Sequence, residues 1–266
     1  MKKFLCVIFV LAFSTCSFAQ SKVGVLAQLN MTEEEYEKFV DEGRETVGFN
    51  FLSHDDEDFR YYDSLLTMQM ALNAGEIDEV QLPEIVGEYF AIVNPSYSVS
   101  CVTQVRPTYL AFGFLEKNAA LRDKINAVMS ELREDGTLEK LRVDYIDNFM
   151  DANFNVVKPA KFDGAEKIKI ALTGDLPPID FVAADDTPAG FNMAIITEIG
   201  KLAKLNIEVF DIEAGARSAA LASGRADAVL WYKFTQDAEH QPDIPSGIIL
   251  SDPYYDWNKF LHIKKK

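Results

Sequence analysis

Apolar and polar positions follow one another along the chain in two rhythms, the alternation of a strand and the spacing of an amphipathic helix. The run KVGVLA from Lys22 predicts a strand, and LNMTEEEYEKFVDEG predicts a helix that begins at a capping box of Thr32 and Glu35. The run VGFNFLS predicts a second strand. After an acidic loop at 54–58, YYDSLLTMQMALNAG predicts a helix capped by Gly75, and IDEVQL predicts a third strand.

The last third of the chain has the same rhythm. The runs KIKIAL, IEVFDI and ADAVLWY predict strands, while AGFNMAIITEIGKLAKLN and ARSAALASG predict helices. Between the two parts, YLAFGF predicts a strand, residues 118–134 a helix, and Leu138 the start of another. Residues 147–165 lack periodicity and predict a linker. Strands that alternate with helices are typical of a parallel sheet, so we predict an α/β fold.

One phrase occurs twice in the chain. ALNAGEIDEVQL at 71–82 and ALASGRADAVLW at 220–231 share an Ala-Leu pair, a glycine, an aspartate and a short apolar run. We interpret the phrase as a helix, its glycine cap, a turn and a buried strand, written once in each of two α/β units. This interpretation makes Asp78 and Asp227 turn residues rather than ligands.

Composition narrows the classes of partner. The 266 residues carry a formal net charge of −16, which makes nucleic acid and anionic membranes poor partners. The three histidines and three cysteines show no metal-ligand spacing, so we predict no metal and no cofactor.

The first 19 residues predict a signal peptide. A basic start at Lys2 and an apolar stretch from Phe4 to Phe13 precede small residues that suit cleavage before Gln20. The stretch is too short to span a bilayer, so we predict export to the periplasm, with a lipid anchor at Cys16 as the alternative. Cys101 is then the only cysteine left, which excludes an internal disulfide, and its strand-like context predicts a small buried residue.

Several of these segments resemble the periplasmic solute-binding proteins of amino-acid ABC transporters, family 3, which have the two-lobed type II periplasmic-binding fold. KIKIALTGDLPPIDF with AGFN at 189–192, ALASGRADAVLW, and SDPYY at 251–255 resemble parts of the family's first lobe. KVGVLAQLNMTEEEY at 22–36 resembles the start of its second lobe, and ELREDGTLEKL at 131–141 resembles its C-terminal helices.

The order of these segments is rotated relative to the family, which implies a circular permutation. Residues 20–100 then form the lobe that resembles the family's second lobe, and 101–146 form the returning strand and C-terminal helices. Residues 147–165 are the linker, and 166–266 form the lobe that resembles the first. The new ends, Lys22 and Lys266, are expected beside the hinge between the lobes. The alternative is a misordered or truncated copy that folds only in part.

In this family the ligand lies between the lobes, which close over it about a hinge. The two charges that bind amino acids in the family are missing here: KFTQDAEHQ has no arginine, and Pro83 stands where the family has an aspartate. The resemblance implies a cleft lined by Asp175, Ile179, Phe181, Trp231, Tyr232, Lys233, Asn30, Met31, Thr32, Gln81 and Glu84.

Several of these side chains have a second interpretation. By strand alternation, one of Trp231 and Tyr232 faces the core instead of the cleft. Lys233 or Arg217 could replace the missing cation. The alternative is a position in solvent, which is at least as well supported for Lys233 and is the favoured interpretation for Arg217.

We therefore predict a non-catalytic, monomeric solute-binding protein of the periplasm. It would capture a small polar ligand, amino-acid-like or related, and an ABC permease is its expected partner. One alternative is a binding or sensory module without a transport role. Another is a dehydratase-like enzyme on the same fold, with Glu84 or Asp175 as a general acid.

Overall fold

The computed structural model describes residues 21–26, 57–149, 157–183, 185–233 and 244–266. The signal peptide, the alternative anchor at Cys16, the helix with the capping box and the strand VGFNFLS are predictions that lie outside these ranges.

Twelve strands and six α-helices alternate along the described residues. The strands are β1 (Ser21–Leu26), β2 (Glu57–Tyr62), β3 (Glu79–Pro83), β4 (Tyr97–Leu115), β5 (Lys167–Leu172), β6 (Asp175–Leu176), β7 (Asp180–Val182), β8 (Pro188–Ala189), β9 (Asn206–Asp211), β10 (Ala228–Lys233), β11 (Ile248–Leu250) and β12 (Tyr255–Lys265). The helices are α1 (Leu65–Ala74), α2 (Glu84–Val93), α3 (Ala119–Glu134), α4 (Thr137–Arg142), α5 (Phe191–Ala203) and α6 (Arg217–Ala222).

Nine of the strands form one sheet, in the order β2-β1-β3-β12-β4-β10-β5-β9, with β11 on the far part of β4. Strand β1 is parallel to β2 and β3, and β5 is parallel to β9 and β10. Strands β4 and β12 are antiparallel to each other and to their other neighbours. The predicted α/β class is confirmed.

The sheet consists of two similarly built halves. In the first half, strands β2-β1-β3 are followed by β12 and the start of β4; in the second, β9-β5-β10 are followed by the end of β4 and β11. The order of the parallel strands is the same in both halves. The first strand in the chain (β1 or β5) lies in the middle, the second (β2 or β9) lies at the outer edge, and the third (β3 or β10) lies next to the antiparallel strands. The predicted domain boundary at 100/101 falls inside β4, because this strand belongs to both halves.

The repeated phrase has the same structural role in each half. In the first half, the Asp78 amide donates to the Lys22 carbonyl oxygen, and the Lys22 amide donates to Asp78 Oδ2, both at 2.8 Å. In the second half, Asp227 and Lys169 make the same two bonds, again at 2.8 Å. Each aspartate therefore clamps a helix–strand turn to the first strand of its half, which confirms the prediction of two turn residues.

Apolar runs become strands in the second half because both faces of the sheet are covered. Ile170 and Leu172 of β5 face the core beneath α3 and α5, whereas Ala171 faces the smaller core beneath α6. Leu230 and Trp231 of β10 divide between the two cores in the same way. Burial on both faces explains why these strands read as continuous apolar runs.

Two predicted boundaries near β2 are wrong. Residues 57–62 form a strand paired with β1 and not the end of an acidic loop, and α1 begins at Leu65 and not at Tyr61. The Ser64 side chain caps α1 by accepting a hydrogen bond from the Thr67 amide at 3.2 Å. Helix α2 was not predicted, because Pro83 at its N-cap position offers no side-chain capping bond to mark the start.

The predicted burial of Cys101 is also wrong, since this residue is exposed. It lies in the part of β4 that, among the described residues, pairs with β12 alone. Its neighbours Val99 and Val102 are also exposed, at 43% and 55%. A strand at the edge of a sheet leaves its side chains with fewer neighbours to cover them, and the sequence does not reveal which strand lies there.

The predicted position of the chain ends is wrong as well. Val23 and Lys264 both pair with Glu79, at the amino end of β3. Strand β12 comes from the second half and first pairs with β3 at the carboxyl end of that strand, where Phe260 pairs with Pro83. Lys22 and Lys266 therefore lie near each other, but away from the part of β12 before Phe260 where this strand passes from one half to the other.

We expect Asp78→Ala and Asp227→Ala to lower the free energy of unfolding by similar amounts, about 1–2 kcal/mol each, because each removes a hydrogen bond to a charged acceptor. Urea denaturation measures both. Glu131→Ala, at an exposed position of α3, is the control and should change little. A large loss in only one of the two variants would contradict the equivalence of the halves.

Candidate functional site

The carboxyl ends of the parallel strands in the two halves point at each other. Pro83, the last residue of β3, pairs with Phe260 of β12. Lys233, the last residue of β10, pairs with Tyr109, which in turn pairs with Asp256 of β12. Only the residues between Asp256 and Phe260 separate the two edges, about 13 Å along a strand. We call these the facing edges, and ligands of α/β proteins bind at edges of this kind.

The edge of the second half is formed by the loop at 173–179, which follows β5. Asp180, the next residue, holds this loop from below: its Oδ2 accepts hydrogen bonds from Thr173 N at 3.1 Å and Thr173 Oγ1 at 3.3 Å. Complete burial, with a smaller contribution from the neighbouring Asp175 carboxylate, raises the pKa of Asp180 to about 7, although hydrogen bonds from Gly174 and Thr173 act to lower it. A buried acid of this kind was not singled out in the sequence.

Of four residues in the second half that are predicted to contact the ligand, two lie in the core and two at the facing edge. Ile179 and Trp231 are fully buried, and a Cβ on Gly113 would lie 2.8 Å from the Trp231 ring. The structure therefore places these two side chains in the core, as strand alternation allowed for Trp231. Asp175 and Phe181 are half-buried and pair with each other across β6 and β7.

Two further predicted contacts, Tyr232 and Lys233, are the last residues of β10 and lie at the facing edge by their backbone positions. Arg217, which was given a solvent position as one alternative, is fully buried at the first position of α6. Burial of this guanidinium depends on the packing of α6 against the sheet, which the local sequence does not show.

Glu84 lies at the edge of the first half, where it begins α2 directly after β3. Its Oε1 forms an ion pair with Lys259 Nζ at 2.9 Å, and both side chains are more than a third exposed. Burial and the nearby Glu84 raise the pKa of Glu88, one turn along the same helix. Lys259 was missed by sequence reasoning, because it reaches this edge only through the crossing of β12.

Gln81 belongs to a partly buried polar network around the buried side chain of His262. The Gln81 side-chain amide lies 3.3 Å from His262 Nε2, and His262 Nδ1 lies 3.1 Å from Glu79 Oε1. The Ser100 hydroxyl donates to Glu79 Oε2 at 3.2 Å. Hydrogen bonding from His262 lowers the pKa of Glu79 against the effect of burial. The network links β3, β12 and β4.

The remaining predicted contacts, Asn30, Met31 and Thr32, lie outside the described residues, as does most of the segment KFTQDAEHQ. The structure thus brings Asp175, Phe181 and the backbone of 232–233 to one facing edge and Glu84 to the other. The assignment of all these residues as ligand contacts stays a prediction.

Two motifs named in the sequence contact each other in the second half. The Tyr254 hydroxyl of SDPYY donates to Asn192 Oδ1 of AGFN at 2.9 Å, and both residues are buried. Ser251 Oγ accepts a hydrogen bond from the Phe112 amide at 2.9 Å, which fixes SDPYY on β4. None of the helices in the described ranges is both long and apolar enough to cross a membrane.

Residues 168–266 match the model of a family described as bacterial extracellular solute-binding proteins, family 3. The matched range begins in β5 and contains both contacting motifs. The match confirms the predicted family for this part of the chain, and together with the two similar halves it agrees with the predicted type II periplasmic-binding fold.

No curated protein sequence matches the chain. Among solved structures, it is similar to the ligand-binding component of an ABC-type import system from Staphylococcus aureus with zinc bound, at 8% identity and a TM-score of 0.44, over 92% of this chain and 65% of that one. It is also similar to an ABC transporter periplasmic binding protein from Brucella ovis with glutathione bound, at 12% identity and a TM-score of 0.45, over 93% and 63%.

A periplasmic substrate-binding protein of an ABC transporter from Coxiella burnetii has 11% identity and a TM-score of 0.41, over 92% of this chain and 85% of that one. The chain thus spans less than two thirds of the first two of these structures. Similarities at this level carry no argument about the ligand.

We expect Glu79→Gln to lower the free energy of unfolding by about 1–3 kcal/mol at pH 7, because a neutral amide replaces a charged acceptor of His262 and Ser100. The pKa of Glu79 lies below its ordinary value of 4.5, so its stabilising contribution is present above pH 4.5 and is lost as the pH falls through the lower folded value. Urea denaturation between pH 7 and pH 3 should show the two proteins converging in acid. A difference that does not depend on pH would contradict this account.

Proposed function

We propose that the protein is an extracytoplasmic solute-binding protein that captures a small polar ligand between its two halves and delivers it to an ABC permease. The observation that carries this proposal is the pair of facing edges, held by two strands that cross between the halves. A gap framed by strand ends on both sides, and bridged by extended segments, is suited to close over a solute about the bridge.

The residues we propose as ligand contacts are those that the structure brings to the facing edges. They are Asp175 and Phe181 in the second half, the end of β10 at 232–233, and Glu84 in the first half. Ile179, Trp231 and Gln81 would support these positions from beneath, since they are buried or bonded within the sheet.

The charges at the edges favour a ligand other than a simple α-amino acid. Glu84, the residue that follows Pro83, is already paired with Lys259. An incoming ammonium group would have to compete with this lysine for the same carboxylate. We infer that the ligand is polar but does not depend on a dedicated ammonium anchor at this edge.

We further propose that binding is not followed by a chemical reaction, as is typical of the matched family. Export by the predicted signal peptide would place the protein in the periplasm. We propose that it acts there as a monomer. Lys259 occupies the Glu84 carboxylate, so the alternative of Glu84 as a general acid would require this ion pair to break first.

The test is a thermal-shift screen of the purified protein against amino acids, dipeptides, polyamines, carboxylates and sugars. We expect one class to raise the melting temperature, because a ligand at a hundredfold excess over its dissociation constant stabilises the fold by about 2.7 kcal/mol. For that compound, Asp175→Asn should weaken binding at least about tenfold, the effect of roughly 1.4 kcal/mol.

Glu131→Gln is the matched control for this screen, because it removes one exposed carboxylate of α3 far along the chain from either edge. It should leave the affinity unchanged. A cooperative melt that no compound shifts would contradict capture of a small solute. Consumption of the compound by the purified protein would favour the enzyme alternative.

A further inference from the structure

One carboxyl group lies fully enclosed beneath the loop at 173–179. Asp180 has none of its surface exposed. Its Oδ2 accepts hydrogen bonds from Thr173 N and Thr173 Oγ1, and the backbone amide of Gly174 also stabilises the charged form of the carboxyl group. Its Oδ1 is also buried, and no atom of the described residues donates to it. This side chain therefore ties β7 to the start of the loop with one oxygen only.

The loop is also held at its other end. The Phe191 and Asn192 amides, at the start of α5, donate to the carbonyl oxygens of Pro178 and Ile179 at 3.1 and 2.9 Å. A Cβ on Gly190 would lie 2.6 Å from the Pro178 carbonyl oxygen, so the backbone of this glycine packs directly on the loop. With both ends fixed, the loop has little freedom to move unless the Asp180 contacts break.

Among the described residues, the charged side chains on the strand ends and the turn around Asp180 are acidic. Asp175 lies on β6, beside β7, and Asp211 at the end of β9 approaches Gly174. Asp185 and Asp186 lie exposed on the turn between β7 and β8. The residues of β8 and of the first turn of α5 carry no charge. A negative charge on Asp180 would thus be repelled by that of Asp175, the charged residue that acts on it directly.

We propose that Asp180 is a positioning residue that couples the ordered conformation of the 173–179 loop to the binding of one proton. The loop contains Asp175, so the relevance of this coupling to ligand capture rests on the proposed function. The response of the loop to pH does not, and it can be measured without a ligand.

The direction of the coupling follows from linkage. Burial raises the pKa of Asp180 from 3.8 to about 7, whereas opening of the loop would expose the carboxyl group to water and return its pKa toward the ordinary value. Opening then releases a proton, so it becomes easier as the pH rises from about 4 to about 7 and does not change further above that. The closed loop is favoured in mild acid.

The experiment is hydrogen exchange of the purified protein, with the amides of Thr173 and Gly174 as reporters and with correction for the intrinsic pH dependence of exchange. In the wild-type protein, their protection should fall by about tenfold or more between pH 5 and pH 8. In Asp180→Asn, which keeps a side-chain oxygen as acceptor but has no proton to lose, protection should be independent of pH.

Asp211→Asn is the matched control, because it removes a neighbouring exposed charge and should keep the slope. Wild-type protection that is independent of pH, or a slope that persists in Asp180→Asn, would overturn the proposal. If Asp180→Asn does not fold, carbon-13 NMR of the wild-type aspartate carboxyl groups decides: one should titrate near pH 7, and titration of all of them below pH 5 would overturn the proposal. These measurements use no ligand, so they test the role of Asp180 even if the ligand screen finds no compound that binds.

Discussion

The antiparallel ladder between β4 and β12 is the constraint on which the rest of the structure depends. It runs from the pair of Tyr255 with Leu110 in the second half to the pair of Lys265 with Tyr97 in the first. Each parallel unit is added to one side of this ladder, β3 to β12 and β10 to β4. Along this ladder β3 runs toward the second half and β10 runs toward the first, so their carboxyl ends point at each other. The facing edges are a direct result of this pairing, and no loop is required to create them.

Most of the parallel strands could be predicted from the sequence, because strands buried on both faces appear as apolar runs. The turn residues Asp78 and Asp227 were also predictable, since their spacing from a glycine cap repeats. Strand β2 was missed because its alternation of aromatic and charged residues begins inside an acidic run. The site was less predictable. The burial of Asp180 and Arg217, and the pairing of Glu84 with Lys259, depend on contacts between segments far apart in the chain.

The two edges combine different chemistry. The first half presents a carboxylate already neutralised by a lysine from the crossing strand, whereas the second presents a loop held by a buried acid. The crossing strand therefore contributes a side chain to one of the facing edges as well as connecting the halves. Lys259 lies on the strand that connects the halves. A movement of the halves relative to each other would therefore change the charge at the Glu84 edge if it separated this ion pair.

We propose that the rotated order of segments is a circular permutation, since the ladder and its two parallel units do not depend on where the chain is open. Val23 and Lys264 share the partner Glu79, so Ser21 and Lys266 lie about two strand spacings apart, roughly 10 Å. The most direct measurement is thermal and urea unfolding of a relinked chain, in which a short Gly-Ser linker joins Lys266 to Ser21 and the chain is opened between Lys158 and Pro159, within the irregular segment at 157–166. The account predicts one cooperative transition close to that of the original protein. A relinked chain that does not unfold cooperatively, or one no more stable than a control opened inside α5, would contradict it.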